Sequence, residues 1–455
     1  MSGTVPTVAP DEPSSPRKVL LVVGTRPEAI KMLPIVAALR QSRHLDPVVV
    51  ATGQHPGVVE DVLALAGERP DVDLGVGGRG LTLNGLVSAV MTSFERFLVE
   101  RFGETAPAAP ERDDAYPTAC VVHGDTSSAM AAAVSAFHLQ IPVVHVEAGL
   151  RTGDIREPYP EELNRQIISR IAALHLAPTD LNAEHLIREG VPNARIFVCG
   201  NTAIDALAWA ARLRVPYGQP ALADLEDDES IRVVTVTAHR RENWGGGLAR
   251  IATAVGSLAE HYPDVRFVLP LHPNPVVAES LRSRLEGHHN VSLVEPMSYA
   301  AFARLLARSH FAISDSGGVQ EEAPAMGTPV LVTRASTERQ EGVAAGTLEL
   351  VGTNVDRIVT AARRLLDDPQ AHATMAGCTN PYGDGHTAQR IVACFEHIAF
   401  DGPAPTPFGS GYDRLAVLRA GGFDEGPGAV GATTMADRLQ MPDTHEEVMA
   451  DVDVT

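Results

Sequence analysis

The sequence predicts an α/β protein of two doubly wound, Rossmann-like domains facing each other across a cleft. Short continuous apolar runs, such as residues 19–23 and 233–237, alternate with helical patterns along most of the chain, as strand-helix-strand units around a parallel sheet do. The 455 residues are 44% hydrophobic but only 5% aromatic, which suits two α/β cores of ordinary size. Nearly every apolar run also ends in a charged or glycine-bearing turn, and open α/β sheets bind ligands beyond the carboxyl ends of their strands.

A formal net charge of -20 argues against nucleic acid or an anionic membrane as partner, since both need cations to neutralise phosphates. A local basic pocket for one small anion is still compatible with it. Residues 401–455 hold ten acidic residues against three arginines and are expected, like the leader 1–16, to be flexible. Cys120, Cys199, Cys378 and Cys394 have no paired spacing, so they form neither a disulfide framework nor a CxxC metal site. No run reaches the length of a membrane span. These features describe a soluble cytoplasmic protein.

The first domain is expected over 17–213. Its first strand, 19–23, passes through Gly24-Thr25 into a helix opened by Arg26-Pro27-Glu28 and carrying Lys31. The turn has neither the GxGxxG nor the GxxxxGK[ST] spacing, yet a helix start flanked by Arg26 and Lys31 suits an anion. A second strand, 48–52, leads into Gly53-Gln54-His55-Pro56-Gly57, and residues 84–102 form an amphipathic helix. The strand 119–122 ends in His123-Gly124-Asp125, and the strand 141–146 ends in Glu147. Two carboxylates leaving consecutive strands at equal height can hold their proton affinities apart, as acid/base work requires; either can also simply cap a helix. Glu161 and Glu162 open a helix after Pro158 and Pro160, where negative charge favours the helix dipole. Strands at 174–177 and 195–199 and a helix from 202 to 213 complete this half. Residues 214–230, rich in proline and acidic groups, are the expected boundary.

The second domain, over 231–380, repeats the plan. The strand 233–237 ends in Ala238-His239-Arg240-Arg241, 267–271 ends in His272, and 291–294 ends in Glu295-Pro296. The strand 311–314 ends in Asp315-Ser316-Gly317-Gly318 and turns into a helix expected to carry Glu321 and Glu322 in its first turn. Two glycines let a ligand approach the backbone, so this turn is a candidate diphosphate cradle. The two glutamates would repel a bare phosphate there, whereas a carboxylate can accept hydrogen bonds from ribose hydroxyls, so a nucleoside diphosphate fits better. A further strand covers 329–333, and a last helix, 381–400, is expected to pack back on the first domain.

The motifs GTRPEAIKM, TGQH, HGDT, HVEAGLRT, PEELNR, GNTAIDAL, HRREN, DSGGVQEE and NPYGDG occur in this order between about residues 18 and 398. In this the chain resembles the non-hydrolysing UDP-N-acetylglucosamine 2-epimerases, which share the two-domain architecture of the GT-B glycosyltransferases. The resemblance implies elimination of UDP across carbons 1 and 2 of UDP-N-acetylglucosamine to 2-acetamidoglucal, then re-addition to give UDP-N-acetylmannosamine. It implies no cofactor, no metal and a homodimer. Carried over by motif, Asp125, Glu147 and Glu161 look like the acid/base carboxylates and His239 like the residue assisting the departing diphosphate. Arg26, Lys31 and His272 resemble substrate contacts, Ser316, Gly317 and Gly318 the diphosphate cradle, and Glu322 the ribose acceptor, with Phe302 where the uracil is held.

Three rival activities share parts of this pattern. A hydrolysing 2-epimerase would release free N-acetylmannosamine, and a related enzyme would take a modified UDP-amino sugar. A GT-B glycosyltransferase would need an acceptor and gives three carboxylates no task. Many bacterial members also hold a second UDP-N-acetylglucosamine; the resemblance points to Gln54 and His55 for it. Gly57 and Gly80 stand where such members carry a glutamine and an arginine, with Arg79 displaced by one residue.

Overall fold

The computed structural model describes residues 15–77, 81–103, 116–228, 230–337 and 339–409, without the side chain of Arg241. All but two residues of the leader 1–16, and the tail from 410 onward, lie outside them. The chain divides into two compact units. One runs to Cys199 and resumes over Ala388–Pro407; the other covers Gly200–Thr387 and resumes at Phe408.

The first unit is built on β1 (Arg17–Val23), β2 (Leu45–Ala51), β3 (Val72–Asp73), β4 (Ala119–His123), β5 (Val143–Val146), β6 (Ala172–Ala177) and β7 (Ile196–Val198). They form one parallel sheet in the order β3-β2-β1-β4-β5-β6-β7. The strands read as unbroken apolar runs because helices cover both faces, and β4 is buried at all five positions. The helices Leu83–Phe102 and Ser127–His138 share one core, which holds the fully buried Phe94 together with Ala129, Ala132, Ala133 and Ala136. Burying one such phenyl ring is worth roughly 1.5 to 3 kcal/mol, and small side chains on the second helix let the two helices close on each other.

The second unit carries β8 (Arg232–Thr237), β9 (Val265–Pro270), β10 (Val291–Val294), β11 (Phe311–Ser314), β12 (Val330–Val332) and β13 (Leu348–Leu350), parallel in the order β10-β9-β8-β11-β12-β13. In each sheet the winding direction reverses once, at β1/β4 and at β8/β11. Such a reversal leaves a crevice at the carboxyl ends of the two central strands. The turns carrying Asp125 and Asp315 both stand at one.

The division falls at Cys199–Gly200, and 214–230 runs on inside the second unit. The helix Thr202–Arg212 packs Leu207 and Ala210 against Ala300, Ala303 and Leu306 of the helix Tyr299–Arg308, while Tyr217, Leu222 and Leu225 are buried with Val233 and Val268. The helix Thr387–Phe400 contributes to the first unit, with Glu396 accepting from Ser42 Oγ at 2.7 Å and Arg17 over the Phe400 ring.

Two edge strands, β3 and β13, have no counterpart among the strands expected from the sequence. At two and three residues they are too short to show a pattern, and backbone pairing defines them. The helix Val355–Asp367 likewise has no counterpart among the expected elements, although Ile358, Ala361, Ala362, Leu365 and Leu366 form a clear helical stripe. A correction concerns Glu321 and Glu322: the helix begins at Gly317, so they are its last two residues and not its first turn. Among the described residues no helix is long and apolar enough to cross a membrane.

Candidate active site

At the end of β1 the chain turns through Gly24 and Thr25 into the helix Arg26–Leu39. A side chain on Gly24 would begin 2.8 Å from Ser128 Cβ, so the turn needs glycine. Glu28 receives the N–H groups of Gly24 and Thr25 at 2.9 and 2.6 Å and the hydroxyl of Thr126 at 2.6 Å. It thereby ties the turn after β1 to the turn after β4. Burial pushes its carboxyl above the ordinary value in spite of these donors.

His123 of β4 pairs with Val146 of β5, so Asp125 and Glu147 follow strand ends that lie side by side. Glu147 has a left-handed backbone, φ 63°, an uncommon state for a residue with a side chain. Its carboxylate forms an ion pair with Lys31 Nζ and lies 3.4 Å from His123 Nε2. Burial pushes His123 down to about 3 against the pull of Glu147, so this imidazole is neutral at pH 7. Asp125 receives Arg165 Nε at 2.9 Å and Nη2 at 2.7 Å on one oxygen. Burial raises its carboxyl, Arg165 opposes the rise and Glu147 adds to it.

In the helix Glu161–Ile171 the inward face holds Glu162, Asn164 and Arg165. Arg165 Nη1 donates to Glu162 at 2.7 Å, and Asn164 Nδ2 to the Asp125 carbonyl at 2.8 Å. Glu162 is fully buried; burial would raise its carboxyl, but Arg165, the Thr152 N–H and Gln166 outweigh it and hold it below the ordinary value. Glu161 is half-buried and makes no ion pair among the described residues. Arg26 is exposed at the start of its helix. Gln54 accepts from Ser128 Oγ, and His55 is exposed.

In the second unit Asp315 is fully buried beyond β11 and accepts the N–H of His239 on both oxygens, the Arg240 N–H at 3.0 Å and Asn243 Nδ2 at 2.9 Å. The turn after β8 is thus fastened to the end of β11. The His239 ring stacks on His272, centroids 5.7 Å apart. Burial lowers the imidazole of His239, with Asp315 opposing. Both rings line a pocket of about 230 Å³ with Pro270, Pro296, Met297, Phe302, Val319 and Ser316. At the next turn, a methyl built on Gly317 would meet the guanidinium groups of Arg339, 3.0 Å away, and Arg240, 3.2 Å away. Gly318 is open to solvent. Glu322 lies near the buried hydroxyl of Tyr299, which burial pushes well above its ordinary value, with Glu322 adding to the rise.

The family model for UDP-N-acetylglucosamine 2-epimerase matches residues 37–396. The chain belongs to the UDP-N-acetylglucosamine 2-epimerase family. It is 42% identical to a UDP-N-acetylglucosamine 2-epimerase of Yersinia pestis over 385 residues, 84% of this chain and 98% of the relative. It is likewise 42% identical to that of Bacillus subtilis, over 82% of this chain and 94% of the relative. Among solved structures, the UDP-GlcNAc 2-epimerase of Neisseria meningitidis bound to UDP-GlcNAc is 38% identical and superposes with a TM-score of 0.71, over 83% of this chain and 99% of that one. The two α/β units described above are therefore those of a 2-epimerase family fold.

Within this family member the structure brings together Lys31, Asp125 and Glu147, and separately His239, His272, Phe302, Ser316 and Gly317; no hydrogen bond or ion pair links Glu161 to the first group. Four neighbours of these groups were not anticipated from the sequence: His123, Arg165, Asp315 and Arg339. The first three stand in the quoted motifs HGDT, PEELNR and DSGGVQEE. Arg339 stands outside every one of them, and only the fold carries it to Gly317.

Proposed function

We propose that this chain interconverts UDP-N-acetylglucosamine and UDP-N-acetylmannosamine without net hydrolysis. The observation that carries the reading is the pair of carboxylates at adjacent strand ends, Glu147 facing the ammonium of Lys31 and Asp125 forked by Arg165. An ammonium beside a carboxylate favours its ionised form, so Glu147 is assigned to proton removal and Asp125, whose carboxyl is raised, to proton return. A base takes the proton from carbon 2, the bond from carbon 1 to the diphosphate oxygen breaks, and a carbon 1–carbon 2 double bond forms. UDP then re-adds at carbon 1 while a proton is delivered to the opposite face of carbon 2. Glu161 is kept as a third acid/base candidate. Nothing in these steps calls for a nicotinamide or a metal.

The nucleotide is assigned to the second unit. A pocket of about 230 Å³ lined by Phe302, Met297 and prolines suits one planar base, and Glu322 is placed as the ribose acceptor. Ser316, Gly317 and Gly318 would lie along the diphosphate, with His239 and His272 at the departing oxygen. Relatives named UDP-N-acetylglucosamine 2-epimerase, and the neisserial structure holding UDP-GlcNAc, support the substrate.

A proton NMR time course with UDP-N-acetylglucosamine in deuterated water tests this. Deuterium at carbon 2 of both the product and recovered substrate is expected. Unlabelled product, with turnover intact, would exclude proton removal at carbon 2. Free N-acetylmannosamine with stoichiometric UDP would select the hydrolysing reaction, and silence without an acceptor would point to glycosyl transfer.

A further inference from the structure

Two motifs find no task in that scheme, GNTAIDAL and NPYGDG, which carry Asn201 and Asn380. The fold brings both to Glu321. Its Oε1 receives Arg339 Nε at 2.9 Å and Nη2 at 2.8 Å, and its Oε2 receives Asn201 Nδ2 at 3.1 Å. Asn380 Nδ2 donates to the Glu321 carbonyl at 3.1 Å. Asn201 and Asn380 are themselves buried, and the Glu321 side chain is 12% exposed. A carboxylate placed this close to a proposed diphosphate turn would oppose an anion unless it had another use. The guanidinium it holds is one of the two that a methyl on Gly317 would meet, 3.0 Å away.

We infer that Glu321 is a positioning residue, which holds Arg339 against the Gly317 turn so that its guanidinium meets the diphosphate without first being ordered. Arginine is a flexible chain ending in a rigid fork, and fixing the fork beforehand removes the ordering cost from the binding step. Asn201 and Asn380 fix the glutamate in turn, one at the side chain and one at the backbone. This rests on the reading that the turn at Ser316–Gly318 carries the diphosphate of a nucleotide.

Calorimetric titration of the wild type, E321A, R339A and the double variant with UDP and with uridine, which lacks the diphosphate, decides it. For E321A, affinity for UDP should fall roughly ten-fold or more while affinity for uridine is unchanged. The same substitution made in R339A should cost little further, because its target is already gone. Equal losses for UDP and uridine, additive losses in the double variant, or unchanged UDP binding would each overturn the inference. Where E321A does not fold, E321Q, which keeps the volume and one acceptor without the ion pair, decides by the same ratio. A wild type that binds uridine but gains nothing from the diphosphate would instead remove the reading underneath.

Discussion

Lys31, in the helix that follows β1, and Glu147, just beyond β5 and 116 residues away, form an ion pair. The left-handed backbone at Glu147 turns its carboxylate back to the lysine and to His123. Glu147→Gln keeps the shape and removes the proposed base. Turnover should fall ~100- to 10,000-fold, the range of general acid/base groups, while UDP binds as before. Near-normal turnover in a steady-state assay would move the base to Asp125 or Glu161.

Asp315 holds the His239 turn through three donors, the N–H groups of His239 and Arg240 and the Asn243 amide, with no exposure to water. In Asp315→Asn one oxygen becomes an NH2 group facing N–H donors, leaving buried groups unsatisfied. The second unit should lose about 3 kcal/mol, and His239 should lose its seat. Chemical denaturation, together with turnover on the folded fraction, would show both; unchanged values in each would mean the turn holds without the carboxylate.

Among the described residues of the first unit three histidines are buried: burial holds His123 at about 3, His145 at about 4 and His175 at about 3, against an ordinary 6.5. Between those values the unfolded chain takes up protons that the folded protein refuses. Stability is therefore complete above pH 6.5 and falls as pH drops below it, by up to about 1.4 kcal/mol per pH unit for each histidine. The raised carboxyls of Glu28 and Asp125 act in the opposite sense, since the folded protein takes up their protons before the unfolded chain does, but two carboxyls offset only part of the loss from three histidines. Melting temperature should decline steadily from pH 6.5 to 5. A flat profile there would contradict neutral burial of these rings.

The motif resemblance puts Gly57 at the position of a glutamine that would hold a second UDP-N-acetylglucosamine, and its φ of 79° is one that glycine adopts without strain. Position 80, the other departure, lies outside the described residues. With up to two hydrogen bonds missing, worth roughly 0.5 to 3 kcal/mol each, the second ligand should bind about ten-fold or more weakly in spite of Gln54 and His55. The reaction from UDP-N-acetylmannosamine is then expected to start without added UDP-N-acetylglucosamine. A lag abolished by a trace of it would show the second site intact.

Much of this protein was legible in its sequence. Apolar runs marked the central strands, since a parallel strand covered on both faces has no polar position, and the turn after each run marked where Asp125, Glu147, His239 and Gly317 stand. Those are local properties, decided by neighbours a few residues away. Which group meets which was not local. Lys31 reaches Glu147 because β4 lies between β1 and β5, and Asn201 and Asn380 meet on Glu321 because separate segments of the second unit converge there. Of two adjacent glutamates, Glu162 is buried against Arg165 and Glu161 is not, a choice made by the face the helix presents to the sheet. Local pattern specifies the elements, but ion pairs and buried hydrogen bonds form across strand order and helix packing, and only the assembled sheets decide those.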